Sequence, residues 1–574
     1  MFGLTVADIV VILTYMVGIS FVGIWVGRKV KNSEDYIMGG RNYGKIMMIM
    51  HSFAASTSTS AIVGVASKTF TVGVSGIWYL WLYLFSTPFF WIIAPIFRRL
   101  RALTTGDYFL MRYDKSVEML YSILGVVMQV LIIGLTLKAS GALISGCTQG
   151  AVSPTLAIWG ITIVFLLYGF VGGLTSTMVT DTIQGILTLI FSFMLLPFVM
   201  SSVGGMAGIR EKISSPEMLS IVAPNEIGLF FIIVLTFLTL VGNVTLPHIM
   251  GICATGTTEH EGRYGFTYGN FIKRVLSIPW TLTALAAVVY FAGRDIKPDD
   301  SYGLLAYEFL PGLMPGLMGL FLVTIIASIM AGCNNAMISA SSLFVANIYQ
   351  NYVSKNATQK HYVNAGRVTS IVIVGLGITI AFSLPDVVKG LELTFMVPAF
   401  LGIAFWIGFA WRRYTVAGAW ASTLGAFFIW WLTVTPFFIN FVESLSFSDS
   451  LNLIFHRVKN GVTTSEIYLP WVVILFVLGG ALIGVIVSLL TKPVEEAKLE
   501  HFYGMLRTPV DKPEVLDKPG FLPKGMEFAP RKKLINLPNW ELQIPSWYAI
   551  KGVIIAFFWV STLVVALWAI VNYL

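Results

Sequence analysis

The amino-acid sequence predicts an all-α polytopic membrane protein with about fourteen transmembrane helices. Of its 574 residues, 56% are hydrophobic and only 11% are charged, whereas roughly a quarter are charged in a soluble globular domain. Apolar runs of about 20 residues, the length at which a helix crosses a bilayer, recur along the whole chain. The runs cover residues 5–27, 45–67, 77–97, 117–146, 153–171, 180–204, 226–253, 270–293, 312–349, 363–384, 388–411, 415–437, 467–491 and 547–571.

The first run is expected to be a retained helix and not a signal peptide. Asp8 precedes its apolar stretch, and the basic residues Arg28, Lys29 and Lys31 follow it. No small-residue cleavage site separates these two features. Together with the loop that follows, this helix forms a first segment, residues 1–44.

The second run contains SFAASTSTSAIVG, Ser52 to Gly64, with five hydroxyl residues in succession from Ser56 to Ser60. Serine and threonine compete with a helix for backbone hydrogen bonds, and a lipid-facing helix gains nothing from their hydroxyls. We therefore expect an interrupted helix that faces protein or a watery cavity. The alternative is a packing kink in which small residues allow close helix contact.

Two runs carry conspicuous side chains near their predicted outer ends. The third begins with GIWYLWLYLF, in which Trp78, Tyr79 and Trp81 are expected to join an aromatic belt at the membrane interface. The fourth contains Lys138, roughly 12 Å from its outer end. One expectation is that its stem snorkels toward the outer interface. Alternatively, Lys138 faces the core, where it would pair with a substrate carboxylate or replace a bound cation.

The sixth run begins near Thr180 and Asp181. An acid in the first turn of a helix is stabilised by the helix dipole, and Thr180 would cap that turn. Asp181 is also the most plausible anionic ligand for a cation inside the membrane. Both roles are compatible.

The seventh run is interrupted at FLTLVGNVTLPHIMG, where Gly242, Asn243 and Pro247 break backbone bonding halfway along. Unwound backbone at membrane depth is tolerated only where it is buried in protein or lines a cavity. Two interrupted helices, the second and the seventh, are typical of a secondary transporter built from inverted repeats. His51 and His248 adjoin the two breaks and are expected to be packed or hydrogen-bonded; they are also the candidate proton carriers of the two breaks.

The basic residues of the loops indicate the orientation. Under the positive-inside rule, their asymmetry places both the N-terminus and the C-terminus outside the cell. The predicted inner loops hold Arg28, Lys29, Lys31, Arg41, Lys45, Arg98, Arg99, Arg101, Arg112, Lys115, Arg263, Lys273, Arg274, Lys355, Lys360, Arg367, Arg412 and Arg413. The predicted outer loops hold only Arg210, Lys212, Arg294, Lys297, Arg457 and Lys459.

Several function classes find no support in the sequence. The net charge of +8 reflects the loops and does not indicate a nucleic-acid partner. No phosphate-binding glycine loop, metal-ligand cluster or large soluble domain is present, so neither an enzyme nor an ATP-driven pump is expected. The cysteines Cys147, Cys253 and Cys333 lie in or beside apolar runs and form no disulfide framework.

Three further stretches carry a resemblance to a known family. They are EDYIMGGRNYG (Glu34 to Gly44), TTGDYFLMRYDKS (Thr104 to Ser116) and YGFVGGLTSTMVTDTIQG (Tyr168 to Gly185). In this order, and at these positions relative to the apolar runs, they resemble the sodium:solute symporters, which include bacterial proline, sialic acid and sugar transporters. The resemblance runs from about residue 5 to residue 440.

The resemblance implies a leucine-transporter-type core of two inverted five-helix repeats, residues 45–204 and 205–411. Two further helices would occupy residues 412–491. A mostly irregular cytoplasmic segment, residues 492–546, would tether the last helix, residues 547–574.

The resemblance also implies a site near the midplane of the membrane. The hydroxyls and carbonyls of the second run would face ion and substrate, so the substrate-binding candidates are Ser56, Ser58, Thr59, Lys138, Asn243 and Trp78. One of Trp78, Tyr79 and Trp81 would also serve as a lid. The implied sodium ligands are the carbonyls of Ala54 and Thr57, the hydroxyl of Ser328 and, as a second or relay site, Asp181.

At the implied sodium site the chain departs from its relatives. Where sodium-coupled members carry two adjacent serine or threonine residues, this sequence has Ala331 and Gly332. Each missing ligand leaves part of the hydration energy of the ion unreplaced. The expected function is therefore a symporter of a small organic solute, coupled to sodium through a degenerate site and requiring no organic cofactor. The alternatives are a proton-coupled or uncoupled carrier of the same fold, or a transporter-like sensor or channel.

Overall fold

The computed structural model describes residues 4–28, 41, 43–223, 226–446, 448, 450–459, 462–514, 516 and 518–573. Within these ranges, the side chains of residues 27, 164–165, 167–175, 457–459 and 462–463 are not described. The basic residues Lys29 and Lys31 and most of the stretch from Glu34 to Gly44 lie outside the described residues.

The described chain is mostly helical. Its first half contains α1 (Val6–Gly27), α2 (Lys45–Ser56), α3 (Thr59–Val72), α4 (Trp78–Trp81), α5 (Thr87–Arg99), α6 (Thr105–Arg112), α7 (Lys115–Cys147), α8 (Pro154–Met194), α9 (Leu196–Val203) and α10 (Gly205–Lys212). Its second half contains α11 (Leu229–Asn243), α12 (His248–Ala254), α13 (Glu259–Tyr290), α14 (Ser301–Phe309), α15 (Leu317–Leu343), α16 (Gln359–Ser383), α17 (Val387–Ala410), α18 (Val416–Thr433), α19 (Pro436–Glu443), α20 (Leu469–Leu490), α21 (Glu496–Arg507) and α22 (Trp547–Tyr573). One antiparallel hairpin, β1 (Ile454–Lys459) and β2 (Val462–Ile467), pairs Ile454 with Ile467.

Among the described residues, 11 helices are long and apolar enough to cross a membrane, or 12 if the bent pair α11 and α12 forms one span. The chain is therefore an integral multi-pass membrane protein. The count of fourteen is not confirmed. The predicted run 77–97 is divided between α4, with 4 residues, and α5, with 13 residues. The run 153–171 is described with its side chains only in part.

Both predicted interruptions are confirmed. Helix α2 ends at Ser56, and α3 begins at Thr59 after two residues with extended backbone. Helices α11 and α12 are separated by residues 244–247 and meet at an angle of 75°. The hydroxyl cluster and the Gly-Asn-Pro stretch therefore interrupt helical hydrogen bonding where the sequence indicates.

The middle of the molecule is formed by α15, whose side chains from Phe321 to Ile325 and from Ala327 to Ile338 are buried. Helices α1 and α22 lie at the periphery and expose large apolar side chains, among them Val17, Phe21 and Phe558. An apolar periphery around a buried polar centre is the arrangement that a lipid bilayer requires.

Loops that were predicted to share a side of the membrane do lie together. At the predicted inner end, Arg99 binds Glu259 with an N–O distance of 2.6 Å. At the predicted outer end, Lys389 binds Glu466 of the hairpin at 2.9 Å. The terms inner end and outer end are used below for these two ends of the molecule.

Helix α13 begins eleven residues before the predicted run at residue 270. Its N-terminus is fixed by a capping box, in which the Thr258 hydroxyl and amide both donate to the Glu261 carboxylate. The first half of the helix is polar but is buried against other helices. Lys273 and Arg274, which the sequence assigned to an inner loop, therefore lie in the middle of a buried helix.

The segment between α20 and α22 is mostly irregular, as expected, but it also contains α21 and is tightly packed. Phe502 and Met505 of α21 are fully buried. Burial of Glu500 raises its pKa, but a hydrogen bond from Arg507 and the charges around it lower that pKa overall. This segment covers the inner end of the helix bundle.

Candidate substrate and ion site between the interrupted helices

The predicted sodium ligands on α2 and α15 lie together. The Ser328 hydroxyl of α15 donates a hydrogen bond of 3.3 Å to the Thr57 carbonyl oxygen. The Thr57 amide in turn donates to the Ala54 carbonyl oxygen at 3.2 Å. The interruption of α2 and the middle of α15 therefore offer three oxygen atoms within one small region.

Helix α15 approaches this interruption closely because it carries small side chains there. A Cβ atom added to Gly332 would lie 3.3 Å from the Ser58 Cβ atom. Neither Gly332 nor Ala331 supplies a side-chain oxygen. The oxygen atoms near the interruption that the family resemblance implies as ligands are therefore those of Ala54, Thr57 and Ser328.

Asp181 lies behind this region and joins three helices. Its carboxylate accepts hydrogen bonds from the His51 ring at 2.7 Å and from the Asn335 amide at 3.0 Å. The same amide group contacts the Ala331 carbonyl oxygen at 2.9 Å. His51, Asp181 and Asn335 belong to α2, α8 and α15 and are all buried. The Asp181 carboxylate thus links α8 to α2 and α15.

The expected role of Asp181 in a first helical turn is not supported. Helix α8 extends from Pro154 to Met194, so Thr180 and Asp181 lie in its interior. The Thr180 hydroxyl bonds backwards to the Ser176 and Thr177 carbonyls, each at 3.2 Å, and does not cap a helix. Helix α8 therefore continues through residue 180, where the apolar pattern predicted the start of a new helix.

A basic side chain contacts the interruption of α2. The Lys273 amine of α13 donates a hydrogen bond to the Ser56 carbonyl oxygen. Helices α2 and α13 are in backbone contact: a Cβ atom on Gly269 would lie 2.8 Å from the Ile49 carbonyl oxygen, and one on Gly265 would lie 2.9 Å from that of Met48. This close packing holds Lys273 at the end of α2.

A central cavity of about 140 Å³ lies between the two interruptions. Its polar lining residues are Ser56, Ser58, Ser60, Tyr79, Tyr83, Asn243, His248, Asn270, Lys273, Arg274 and Thr394. Its apolar lining residues include Ile132, Leu135, Leu246, Ile249, Ile252, Phe266, Leu391 and Phe395.

Arg274 is the least satisfied polar side chain of this cavity. It is 1% exposed, and its guanidinium carbon lies 5.3 Å from the centre of the Tyr83 ring. One guanidinium nitrogen donates to Asn270 at 3.3 Å. Its Nε and Nη1 atoms, and the Nδ2 atom of Asn243, have no hydrogen-bond partner among the described residues.

Three of the predicted substrate candidates line the central cavity, and three do not. Ser56, Ser58 and Asn243 are lining residues. Thr59 is buried in the first turn of α3 and is not a lining residue. Trp78 of α4 and Lys138 of α7 are not lining residues either.

Trp78 is neither a belt residue nor a lining residue. It is 3% exposed, and its indole nitrogen donates to the Ile221 carbonyl oxygen at 2.8 Å. Its ring stacks on Phe85 at 5.9 Å between ring centres. The neighbouring Tyr79 takes the position at the cavity, because successive residues on a helix point about 100° apart.

Lys138 lies outside the central cavity, toward the outer end of α7. Burial raises the pKa of Asp299 in the loop before α14, and the nearby charge of Lys138 partly offsets that rise. The position agrees with an ammonium that reaches the outer end of the molecule. The basic side chain that meets the interruption is Lys273 instead.

Two further cavities adjoin the central one. An outer cavity of about 240 Å³ is lined by Lys68, Glu226, Lys389, Glu392 and Glu466, and it shares Tyr79 with the central cavity. An inner cavity of about 30 Å³ is lined by His51, Thr104, Asn335 and Ser342, and it shares His248 with the central cavity. Tyr79 and His248 therefore form part of the two dividing walls.

The most important residues that sequence reasoning missed are Lys273 and Arg274. Their charges were counted with those of the inner loops, because the predicted apolar run began only at residue 270. The capping box at Thr258 and Glu261 was the available signal for an earlier helix start. Tyr79 and Tyr83 carried no signal that distinguished them from the other aromatic residues of GIWYLWLYLF.

Comparisons with known proteins agree with this architecture. The model of the sodium:solute symporter family matches residues 36–426. The sodium/proline symporter of Escherichia coli is 26% identical over 410 residues, covering 67% of this chain and 78% of that protein. The sodium/glucose cotransporter of Vibrio parahaemolyticus is 22% identical over 481 residues, covering 78% and 88%.

A solved structure shares the fold. The substrate-bound, outward-open structure of a Na⁺-coupled sialic acid symporter superposes with a TM-score of 0.69 at 16% identity, covering 86% of this chain and 99% of that one. The leucine-transporter-type arrangement expected from the sequence is confirmed.

Proposed function

Because the chain belongs to the sodium:solute symporter family, we propose that it is a secondary active transporter that moves a small organic solute across the membrane by alternating access. The substrate binds in the central cavity between the two interrupted helices. Midplane binding between such helices is the common arrangement in transporters built from inverted repeats. No organic cofactor takes part.

The single observation that carries this proposal is the row of three cavities. The central cavity shares Tyr79 with the outer cavity and His248 with the inner cavity. A solute that crosses the protein by this route passes two dividing walls, each built around one polar aromatic side chain. Alternating access requires two such walls that open in turn.

The outer wall is closed by a chain of polar contacts. The Tyr79 hydroxyl donates to the Glu392 carboxylate at 2.9 Å. Glu392 lies 3.2 Å from the Lys389 amine, which also binds Glu466 on the hairpin. Hydrogen bonds to charged groups contribute roughly 1.5–3 kcal/mol each. A few such bonds stabilise a closed state while leaving an open one accessible.

The family implies sodium as the coupling ion, and we propose that this chain binds it weakly. Ala54, Thr57 and Ser328 supply three oxygen atoms, but Ala331 and Gly332 add none. The Lys273 amine occupies the adjacent carbonyl of Ser56. A basic group held beside the site competes with sodium for the same half-helix end.

Proton coupling is the second candidate, and the contact between His51 and Asp181 favours it. These side chains are 2.7 Å apart and buried. His51 also lines the inner cavity, so a proton can reach the pair from that side. Histidine is the side chain whose charge changes most readily near neutral pH.

The proposed location is the cell membrane, with both termini outside and the segment 492–546 in the cytoplasm. The small-molecule substrate and the lipid bilayer are the only partners that this proposal needs. A sensor or a channel of the same fold is the competing function.

Uptake into proteoliposomes tests the proposal. The purified full-length protein is reconstituted, and entry of labelled solutes is compared under a sodium gradient, a pH gradient and no gradient. Concentrative, saturable uptake and exchange of external for internal solute are expected of a carrier. Flux that is neither saturable nor exchangeable identifies a channel, and protein-free vesicles serve as the control.

A further inference from the structure

We propose that the central cavity selects a small monoanionic solute, a monocarboxylate with an apolar body, and that Arg274 and Asn243 bind its carboxylate. This inference deepens the proposed function and rests on it, because it assigns the substrate class of the same cavity.

The first step of the argument is the charge of the cavity. Lys273 and Arg274 both line it, and no acidic side chain is among the described residues that line it. Neither of the two takes part in an ion pair within the described part of the chain. A buried charge without a counter-ion is very costly. An anion in the cavity supplies the missing counter-charge.

The second step is the supply of free donors. The Nε and Nη1 atoms of Arg274 and the Nδ2 atom of Asn243 donate no hydrogen bond to any described residue. Arg274 is 1% exposed and Asn243 is 6% exposed. Buried donors of this kind normally have partners. A ligand that brings only acceptors fits them, and a carboxylate is such a group.

The third step is the geometry of the guanidinium. Its face rests on the Tyr83 ring at 5.3 Å, and one of its nitrogens is held by Asn270 at 3.3 Å. Tyr83 is itself fixed by an edge-on contact with Phe395. A planar guanidinium held in this way presents its remaining edge for two-point binding of a carboxylate.

The remaining lining of the cavity disfavours two other classes of solute, zwitterionic amino acids and sugars. A zwitterionic amino acid brings an ammonium group, for which the cavity offers two basic side chains and no carboxylate. A sugar brings many hydroxyls, but much of the lining is apolar, including Leu135, Ile249 and Leu391. An apolar chain or ring carrying one carboxylate matches both the donors and the apolar wall.

Ligand binding to the purified full-length protein in detergent tests this inference. The midpoint of thermal unfolding is measured with potassium salts of monocarboxylates from acetate to benzoate, with proline, with glucose, and with potassium chloride at matched ionic strength. At least one monocarboxylate is expected to raise the midpoint in a saturable manner, whereas proline, glucose and chloride are not. If no monocarboxylate stabilises the protein, or if chloride, proline or glucose does so equally, the inference is wrong.

Variants assign the effect to the proposed residues. Arg274→Lys keeps the charge but loses the planar edge, and Asn243→Ala removes the third donor. Each is expected to weaken binding of the stabilising carboxylate by about tenfold, since one good charge-assisted hydrogen bond is lost. Arg294→Gln, in the exposed loop after α13, is the matched control and should bind as the wild type does. Unchanged affinity in both cavity variants overturns the assignment.

The result can be separated from that of the uptake assay. Carboxylate binding without any movement across vesicles would contradict the proposed function and leave the binding inference standing. Concentrative uptake of a neutral solute or a zwitterion, without carboxylate binding, would contradict the inference and leave the proposed function standing.

Discussion

The Lys273 amine donates a hydrogen bond to the carbonyl oxygen of Ser56, the last residue of α2 before its interruption. Unpaired carbonyls at the C-terminal end of a half-helix attract cations. In this chain, the Lys273 amine of α13 already binds such a carbonyl, so a cationic group of the protein itself occupies this position. The implied sodium site therefore has a resident basic neighbour as well as missing ligands.

Replacing this neighbour should strengthen sodium binding. In Lys273→Met, the Ser56 carbonyl becomes free and the repulsion between Lys273 and the ion disappears. We expect the apparent sodium affinity to rise by roughly tenfold, about 1.4 kcal/mol, in thermal unfolding measured against sodium concentration with potassium as the balancing cation. Lys355→Met, at an exposed position, is the control. A variant as indifferent to sodium as the wild type would show that Lys273 does not compete with the ion.

Restoring a ligand on α15 should act in the same direction. Ala331→Ser adds a hydroxyl one turn after Ser328, and a net gain of about 1 kcal/mol corresponds to roughly fivefold tighter sodium binding. Ala331→Cys, which adds similar volume without an oxygen, is the matched control. Gly332→Ser is less suitable, because its Cβ atom would meet Ser58 at 3.3 Å. Steep, saturable sodium dependence in the unmodified protein would contradict the proposed weakness of the site.

Asp181→Asn should lower transport much more than it lowers the amount of protein in the membrane. The substitution removes the negative charge that faces His51 and Asn335. We expect the initial rate of uptake to fall at least tenfold, because a cation or proton passing this point loses its counter-charge. Asp295→Asn, in an exposed loop, should behave as the wild type. Unchanged uptake would restrict Asp181 to a structural role.

Tyr79→Phe should open the outer wall of the central cavity. The variant loses the hydrogen bond to Glu392, a loss of roughly 1.5 kcal/mol that favours the open state about tenfold. A cysteine introduced at Thr394 in the cavity should then react faster with a membrane-impermeant thiol reagent, and Tyr290→Phe serves as the control. The three native cysteines are buried. Equal reaction rates with and without the Tyr79 hydroxyl would show that this contact does not close the wall.

The orientation can be checked by labelling single cysteines in intact cells. A cysteine at Asn460, which lies outside the described residues, should react from the outside, and one at the exposed Lys512 only from the inside. The asymmetry of the loop charges is the reason for both expectations. Labelling of Asn460 only after the cells are opened would reverse the proposed orientation.

The interruptions of α2 and α11 could be predicted from sequence because their residues are unsuited to a lipid-exposed helix. Helical hydrogen bonding is weakened by five successive hydroxyl residues and by Gly242 followed by Asn243 and Pro247. This effect can be recognised from the sequence alone. The pairing of Thr57 with Ser328 followed from the family resemblance. Local chemistry and known spacing were sufficient for this part of the site.

The remainder of the site depends on contacts that a single sequence does not encode locally. The polar start of α13 resembles a loop, and only its burial beside Arg99 and against the backbone of α2 explains why it is helical. Lys273 and Arg274 were misplaced for this reason. Whether Trp78 or Tyr79 faces the cavity depends on the rotation of a helix, which its neighbours fix. Helix α21 was missed because its apolar face is short and interrupted by charges.

The backbone contact between α2 and α13 has an electrical consequence. Gly265 and Gly269 lie against the backbone of α2, and the basic charge that α13 holds there is part of the protein, so it returns with the empty carrier. It adds nothing to the net current of a complete cycle. An anion carried alone then moves one negative charge, and an interior-negative potential of 100 mV opposes its entry by about 2.3 kcal/mol. The membrane potential therefore assists uptake of the anion only if at least two monovalent cations enter with each anion. It assists export of the anion without any accompanying cation.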